Sequence, residues 1–126
     1  MKFNMKDGGF YTELPYGRLD ISGNEENGFR PFQLLVTSVA VCSGGVLRKV
    51  LEKQRMEVED MTITADVKRN EEAANRIEKI TIHFKIKGKK LEEKKVAKAL
   101  ELAQKNCSMF QSVIGAIDVT ETFELV

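Results

Sequence analysis

PFQLLVTSVAVCSGGVL, residues 31–47, carries no formal charge in a chain of which 31% of residues are charged. Leu34, Leu35, Val36, Val39, Ala40, Val41, Val46 and Leu47 fall on every side of a helical wheel, and a helix apolar all round belongs in a core or a membrane. Gln33, Thr37, Ser38, Ser43 and the Gly44-Gly45 pair interrupt the run, which is also shorter than the ~20 predominantly apolar residues of a membrane span. The reading is a buried helix of a soluble protein. Pro31 suits its first turn, where a missing N–H removes a donor that would have no helical partner. Beyond Leu47 the pattern becomes amphipathic, Val50 and Leu51 alternating with Arg48, Lys49, Glu52 and Lys53, so the helix is expected to reach about Arg55 with cations favouring its end. Two glycines inside a helix cost ~2 kcal/mol relative to alanine, and the expected compensation is the close approach of another backbone. Cys42 sits mid-helix.

Upstream, turn residues at Asp7-Gly8-Gly9 and Pro15-Tyr16-Gly17 divide the chain into candidate strands Lys2–Lys6, Phe10–Leu14 and Arg18–Ser22, a small meander. Residues 24–30 form a polar loop. Downstream the period switches to two: Met61, Ile63, Ala65 and Val67 share one face, and after a polar turn Ile80, Ile82, Phe84 and Ile86 share another. This pattern predicts a hairpin with one wet face, ended by Gly88. Leu91 to Lys105 returns to helical spacing, with Val96, Ala99, Leu100 and Ala103 on one stripe and Asn106 as its stop. Cys107 to Ile114 reads as a short helix and Val119 to Val126 as a closing strand, whose register Glu121 interrupts. The expected class is α+β in the order β-β-β-α-β-β-α-β, with a short helix before the last strand.

A chain of 126 residues fits one domain, residues 1–126. Twenty basic and 19 acidic residues give a net charge of +1 without a basic block or acidic tail, which argues against nucleic acid or an anionic membrane surface as partner. The N-terminus lacks the apolar segment of a secretory signal, so a cytoplasmic protein is expected, where a structural disulfide is unusual. Two cysteines and a single histidine do not make a closed zinc site, and no bound cofactor is expected. One sheet and one amphipathic helix mask only one side of the Pro31–Leu47 helix. A homodimer with that helix near its centre is therefore expected.

Chemistry by the thiols remains. A buried cysteine often behaves as a small hydrophobe, whereas a reactive one needs a thiolate stabilised by a cation, a helix terminus or hydrogen-bond donors. Cys42 lies too deep in its helix for the terminus to act, leaving Arg18 and Arg30 as candidate cations. Cys107, after Asn106 and before Ser108, stands where a thiol can meet Cys42 and resolve an oxidised sulfur through a sulfenic acid and a disulfide. His83 alternates onto a polar strand face and reads as solvated; Phe29, Phe32 and Phe110 read as core before pocket wall.

Pro31 to Leu35 leading to Cys42, the paired alternating strands, the amphipathic helix, and Asn106-Cys107-Ser108 followed by Ser112-Val113 and a final strand resemble the OsmC/Ohr family, most closely its YhfA-like branch of OsmC-like proteins. The resemblance covers the chain from about Gly28 onward. It implies an intertwined homodimer with sites at the subunit interface, and in the peroxidase members a first Cys that attacks organic hydroperoxides and a second that resolves it. An external dithiol, in some members a protein-bound lipoyl group, restores the reduced form. Cys42 matches the attacking position and Cys107 the resolving one, with Arg18 in the place of the activating Arg. Where the peroxidase branches have Glu to orient that Arg, this chain has Phe32, followed by Gln33. Phe32, Gln33 and Phe110 are the expected substrate-binding residues. The expected activity is thiol-dependent reduction of organic hydroperoxides, the alternative a noncatalytic protein of the same fold that binds an apolar small molecule or senses oxidation.

Overall fold

The computed structural model describes residues Met1–Val126. It contains two compact units, Met1–Leu35 and Val36–Val126. In the first, β1 (Asn4–Lys6), β2 (Gly9–Glu13) and β3 (Arg18–Ile21) form the expected antiparallel meander in that order. Gly8, at φ +80°, makes the first turn, a conformation that glycine adopts without the Cβ clash of other residues. Two mutual backbone hydrogen bonds of 3.0 Å between Leu14 and Gly17 close the second. The loop from Asn24 returns to β3, where Phe29 N–H donates to the Asp20 carbonyl at 2.8 Å. Gly28 packs so closely on the backbone of Asp20 and Ile21 that a Cβ there would lie 2.8 Å from it.

Helix α1 (Pro31–Lys53) begins in this unit and continues through the second, which adds β4 (Glu57–Asn70), β5 (Arg76–Lys89), α2 (Glu93–Asn106), α3 (Ser108–Val113) and β6 (Asp118–Leu125). The sheet order is β4-β5-β6, with β4 and β5 antiparallel and β5 and β6 parallel. A parallel pair needs a long crossover, which α2 and α3 provide. Ile80, Ile82, Phe84 and Ile86 on β5 are fully buried, as their period of two requires for a central strand with one face on the core. Against them pack Val39, Leu47 and Leu51 of α1 and Val96, Ala99 and Ala103 of α2. Fully burying each large aliphatic or aromatic side chain contributes roughly 1.5–3 kcal/mol, so the seam between this sheet and the two helices dominates the unit's stability. The α+β class and the element order agree with the sequence.

One detail is as the sequence reading expects and three differ from it. Helix α1 is not covered all round within one chain: Val36, Val39, Ala40, Ser43, Gly44, Leu47 and Leu51 are buried, but Val41 is 61% exposed. The glycine pair has two different surroundings. A Cβ at Gly44 would collide with Ile63 Cδ1 of β4, whereas nothing lies within 4 Å of one at Gly45, so Gly44 serves packing on the chain's own sheet. Gly88 does not end β5, which runs to Lys89; a Cβ there would strike the Glu57 carbonyl oxygen, beside the irregularity between Val58 and Asp60. Ala65 of β4 is exposed, although its neighbours Ile63 and Val67 are partly buried.

Glu121 also has a definite face. It alternates inward with Val119, Phe123 and Leu125, and Ser43 Oγ donates to its Oε2 at 2.6 Å. Its Oε1 is buried without a completed hydrogen bond, the Gln104 amide standing near enough only to favour the charged form. Burial outweighs both partners and raises the pKa above the ordinary carboxylate value. For an acid whose folded pKa is raised, the unfolded chain releases its proton first, so this group lowers stability as pH climbs from its unfolded value to its folded one. Glu121→Gln keeps an acceptor for Ser43 and removes that cost. The substitution is expected to raise the melting temperature at pH 8 by roughly 4 °C, the shift that about 1 kcal/mol gives a domain of this size, and the gain is expected to vanish near pH 4. Thermal denaturation of both proteins across that range measures it.

Candidate functional site

Cys42 occupies the border between the buried and exposed sides of α1 and is half-buried. Facing it is the junction of α2 and α3. Helix α2 stops at Asn106, whose side-chain amide donates to the Leu102 carbonyl at 2.8 Å. Cys107 then adopts extended backbone, φ −84° and ψ 110°, and acts as the N-cap of α3: its Sγ accepts from Phe110 N–H at 3.3 Å. A cap acceptor satisfies one of the N–H groups left without a partner at a helix start, a role usually taken by Ser, Thr, Asp or Asn. The turn is fixed further by Gln111 N–H on the Cys107 carbonyl at 3.0 Å and Ser112 Oγ–H on the Ser108 carbonyl at 2.7 Å.

This rigid turn points donors at the sulfur of α1. Cys42 Sγ lies 3.8 Å from Ser108 Oγ. The Met109 N–H is the largest influence on Cys42, and with the Cys107 thiol and the Ser108 hydroxyl and N–H it draws the pKa below the ordinary thiol value against the opposing effect of burial. Cys107 behaves in the opposite way. It is 0% exposed, and burial first, then the adjacent Cys42 sulfur, raise its pKa. The two thiols influence each other's titration, and the more exposed and better-donated sulfur, that of Cys42, is the one that gives up its proton more readily. Both cysteines are free.

The residues expected at the site fall in two groups. Cys42, Cys107 and Phe110 come together in the second unit, Phe110 being 8% exposed and bonded through its amide to Cys107. Arg18, Arg30, Phe32 and Gln33 lie in the N-terminal unit. There the Arg18 guanidinium is 3.1 Å from Asp20 Oδ1 and 4.0 Å above the Tyr11 ring, with Asp20 holding its pKa up. Arg30 lies over the Phe32 ring at 4.8 Å, and Gln33 is exposed. Asp20 is held below the usual carboxylate range by Lys6 first and then Arg18.

Of the donors that act on Cys42, the sequence gives a role to Cys107 alone. Two of them are backbone N–H groups and leave no signature; Ser108 was visible only as the residue after Cys107. His83 is half-buried on the outer face of the sheet, with Nδ1 2.7 Å from Thr122 Oγ1 and Nε2 3.4 Å from Glu124. No group of three or more His, Cys, Asp or Glu side chains is arranged to hold a metal ion. A separate cleft of about 360 Å³ runs between α1 and β4, walled by Val41, Gly45, Val58 and Met61 with Arg48 at its side; neither cysteine lines it.

Residues 23–122 match the family model described as OsmC-like protein. Protein YhfA of Escherichia coli (strain K12) is 30% identical over 97 residues, covering 76% of this chain and 72% of its own length. Among solved structures, a hypothetical protein from Aquifex aeolicus VF5 superposes with a TM-score of 0.88 at 28% identity, over 99% of this chain and 93% of its own. The organic hydroperoxide resistance protein OhrB of Bacillus subtilis superposes with a TM-score of 0.68 at 21% identity, over 98% and 95% of the two chains, a likeness of fold alone.

The split between the two thiols has a direct chemical readout. At pH 7 iodoacetamide is expected to alkylate Cys42 roughly tenfold or more faster than Cys107, since the thiolate is the nucleophile and Cys107 is both protonated and covered. Peptide mass mapping against time measures both rates; equal rates would remove the asymmetry.

Proposed function

Because the chain belongs to the OsmC-like protein family, we propose that it reduces organic hydroperoxides in the cytoplasm by a two-cysteine mechanism. The observation that carries this reading is the pair of free cysteines at the α2–α3 junction, a half-buried Cys42 sulfur 3.8 Å from Ser108 Oγ and drawn below the ordinary thiol value by hydrogen-bond donors, and a buried Cys107 pushed above it. The Cys42 thiolate attacks the distal peroxide oxygen. The S–O bond forms as the O–O bond breaks, sulfur giving two electrons and the alkoxide leaving to be protonated to the alcohol. Cys107 then attacks the sulfenic acid, forming the disulfide and releasing water. An external dithiol, of the lipoyl type or otherwise, returns both thiols by exchange.

In this reading the donors of the Cys107–Met109 turn do the work that the resemblance gives to Arg18, which is already paired with Asp20 and stacked on Tyr11. Phe32 and Gln33 in place of the expected Glu fit a site activated without an oriented arginine. The same substitution favours the rival, a noncatalytic binding or redox-sensing protein. Phe110, beneath the turn, is proposed to form part of the apolar surroundings of the substrate. The working form is proposed to be a homodimer built on the uncovered side of α1, where Val41 is 61% exposed and Gly45 leaves space for a second helix.

With cumene hydroperoxide and dihydrolipoamide, the reduced protein is expected to consume peroxide catalytically. Cys42→Ser is expected to abolish consumption, and Cys107→Ser to slow turnover roughly tenfold or more while leaving the first sulfenic acid to form. Activity unchanged in Cys42→Ser removes the nucleophile; one disulfide formed per chain with no turnover selects the sensor. For the dimer, sedimentation equilibrium is expected to give twice the 14.2 kDa chain mass, and Val41→Asp, which places a charge in the proposed seam, is expected to give the single chain.

A further inference from the structure

We propose that Ser108 is a catalytic residue: its hydroxyl, 3.8 Å from Cys42 Sγ, bonds the thiolate at rest and swings to the departing alkoxide oxygen as the peroxide bond breaks. This rests on the hydroperoxide reading above and gives the reaction a group that nothing in the family resemblance supplies.

The geometry separates Ser108 from the other donors. Cys107 is 0% exposed, and the Met109 and Ser108 N–H groups are fixed in the backbone of the turn. Ser108 is exposed and lies beside a half-buried sulfur, so a peroxide arriving from solvent meets the hydroxyl and the sulfur together. Its backbone is anchored, since Ser112 Oγ–H bonds the Ser108 carbonyl at 2.7 Å, yet the hydroxyl itself has no hydrogen bond other than that to Cys42. A single rotation about χ1 is therefore open to it without disturbing α3.

The chemistry asks for a mobile donor of this kind. At rest, negative charge sits on sulfur. In the transition state it moves through the distal oxygen, which stays with sulfur as S–OH, to the proximal oxygen, which leaves as RO⁻. A donor that follows the charge stabilises the transition state more than the ground state, which is what accelerates the step. Ser108 keeps its proton throughout: it gives a hydrogen bond to the alkoxide, and water supplies the proton that makes the alcohol.

Two readouts separate this role from a structural one. The first is the pH midpoint of Cys42 alkylation, expected to rise by roughly half a unit in Ser108→Ala, because a hydrogen bond to the charged form is lost. The second is the single-turnover rate of sulfenic acid formation with cumene hydroperoxide, measured well above that midpoint, where Cys42 is fully ionised in both proteins. There Ser108→Ala is expected to be roughly tenfold slower, with Ser108→Thr, which retains a hydroxyl, recovering most of the rate. Equal midpoints and equal rates in Ser108→Ala overturn the proposal while leaving peroxide reduction intact. A wild-type protein inert toward the peroxide instead overturns the reading on which it rests, and the midpoint shift then reports only on the resting contact.

Discussion

The arrangement of thiols depends on how closely α1 lies against the β4-β5-β6 sheet, and two small residues set that distance. Gly44 meets Ile63 Cδ1 with no room for a Cβ, and Ser43, 0% exposed, bonds Glu121 of β6. A helix interior disfavours glycine by about 1 kcal/mol against alanine, and a buried carboxylate costs more unless it is neutral or paired. Both costs are offset by the aliphatic seam of β5 against α1 and α2. Because Cys42 directly precedes these residues, its direction follows from their packing, and a change in the seam that rotated α1 would turn the sulfur away from the Cys107–Met109 turn.

The lowering of the Cys42 pKa by hydrogen-bond donors has a physical logic of its own. A hydrogen bond to a charged group contributes about 1.5–3 kcal/mol, more than one between neutral partners, and several converge on one sulfur. Backbone donors are held by α3 and by the bonds that fix its first turn, so they need no reorganisation when charge appears. An exposed ion pair of the Arg18–Asp20 kind, by contrast, is screened by water and salt and contributes little. The cap on α3 is part of the same economy of parts: one sulfur, that of Cys107, both caps the start of the helix that carries the donors and helps to draw down the pKa of the neighbouring thiol.

Much of this fold was legible because its periods are clean. The run of Ile80, Ile82, Phe84 and Ile86, the stripe of Val96, Ala99, Leu100 and Ala103, and the uncharged stretch after Pro31 each state one element and one buried face. Cys42 and Cys107 could be paired through their resemblance to a known spacing. What escaped sequence was set by tertiary contact. Gly88 resembles a strand terminator until the Glu57 backbone is seen against it. Glu121 breaks an apolar register because Ser43 waits opposite it, and the Met109 N–H, the strongest influence on Cys42, belongs to every residue type alike. Side-chain identity carries the elements; the donors of the site come from where the backbone passes.

The burial of Cys107 suits the second half of the proposed reaction better than exposure would. When disulfide formation follows sulfenic acid formation, the hydroxyl on Cys42 leaves as water and must gain a proton, and Cys107 enters the step holding one. A second thiolate beside the first would repel it and raise both pKa values, leaving less of the nucleophile at neutral pH. A thiol that stays protonated instead strengthens the resting thiolate and gives up its hydrogen only once the neighbouring charge has gone into the S–O bond. Its cover also keeps peroxide from reaching it directly. The order of events, Cys42 first and Cys107 second, is then a consequence of which sulfur faces solvent and which one caps a helix.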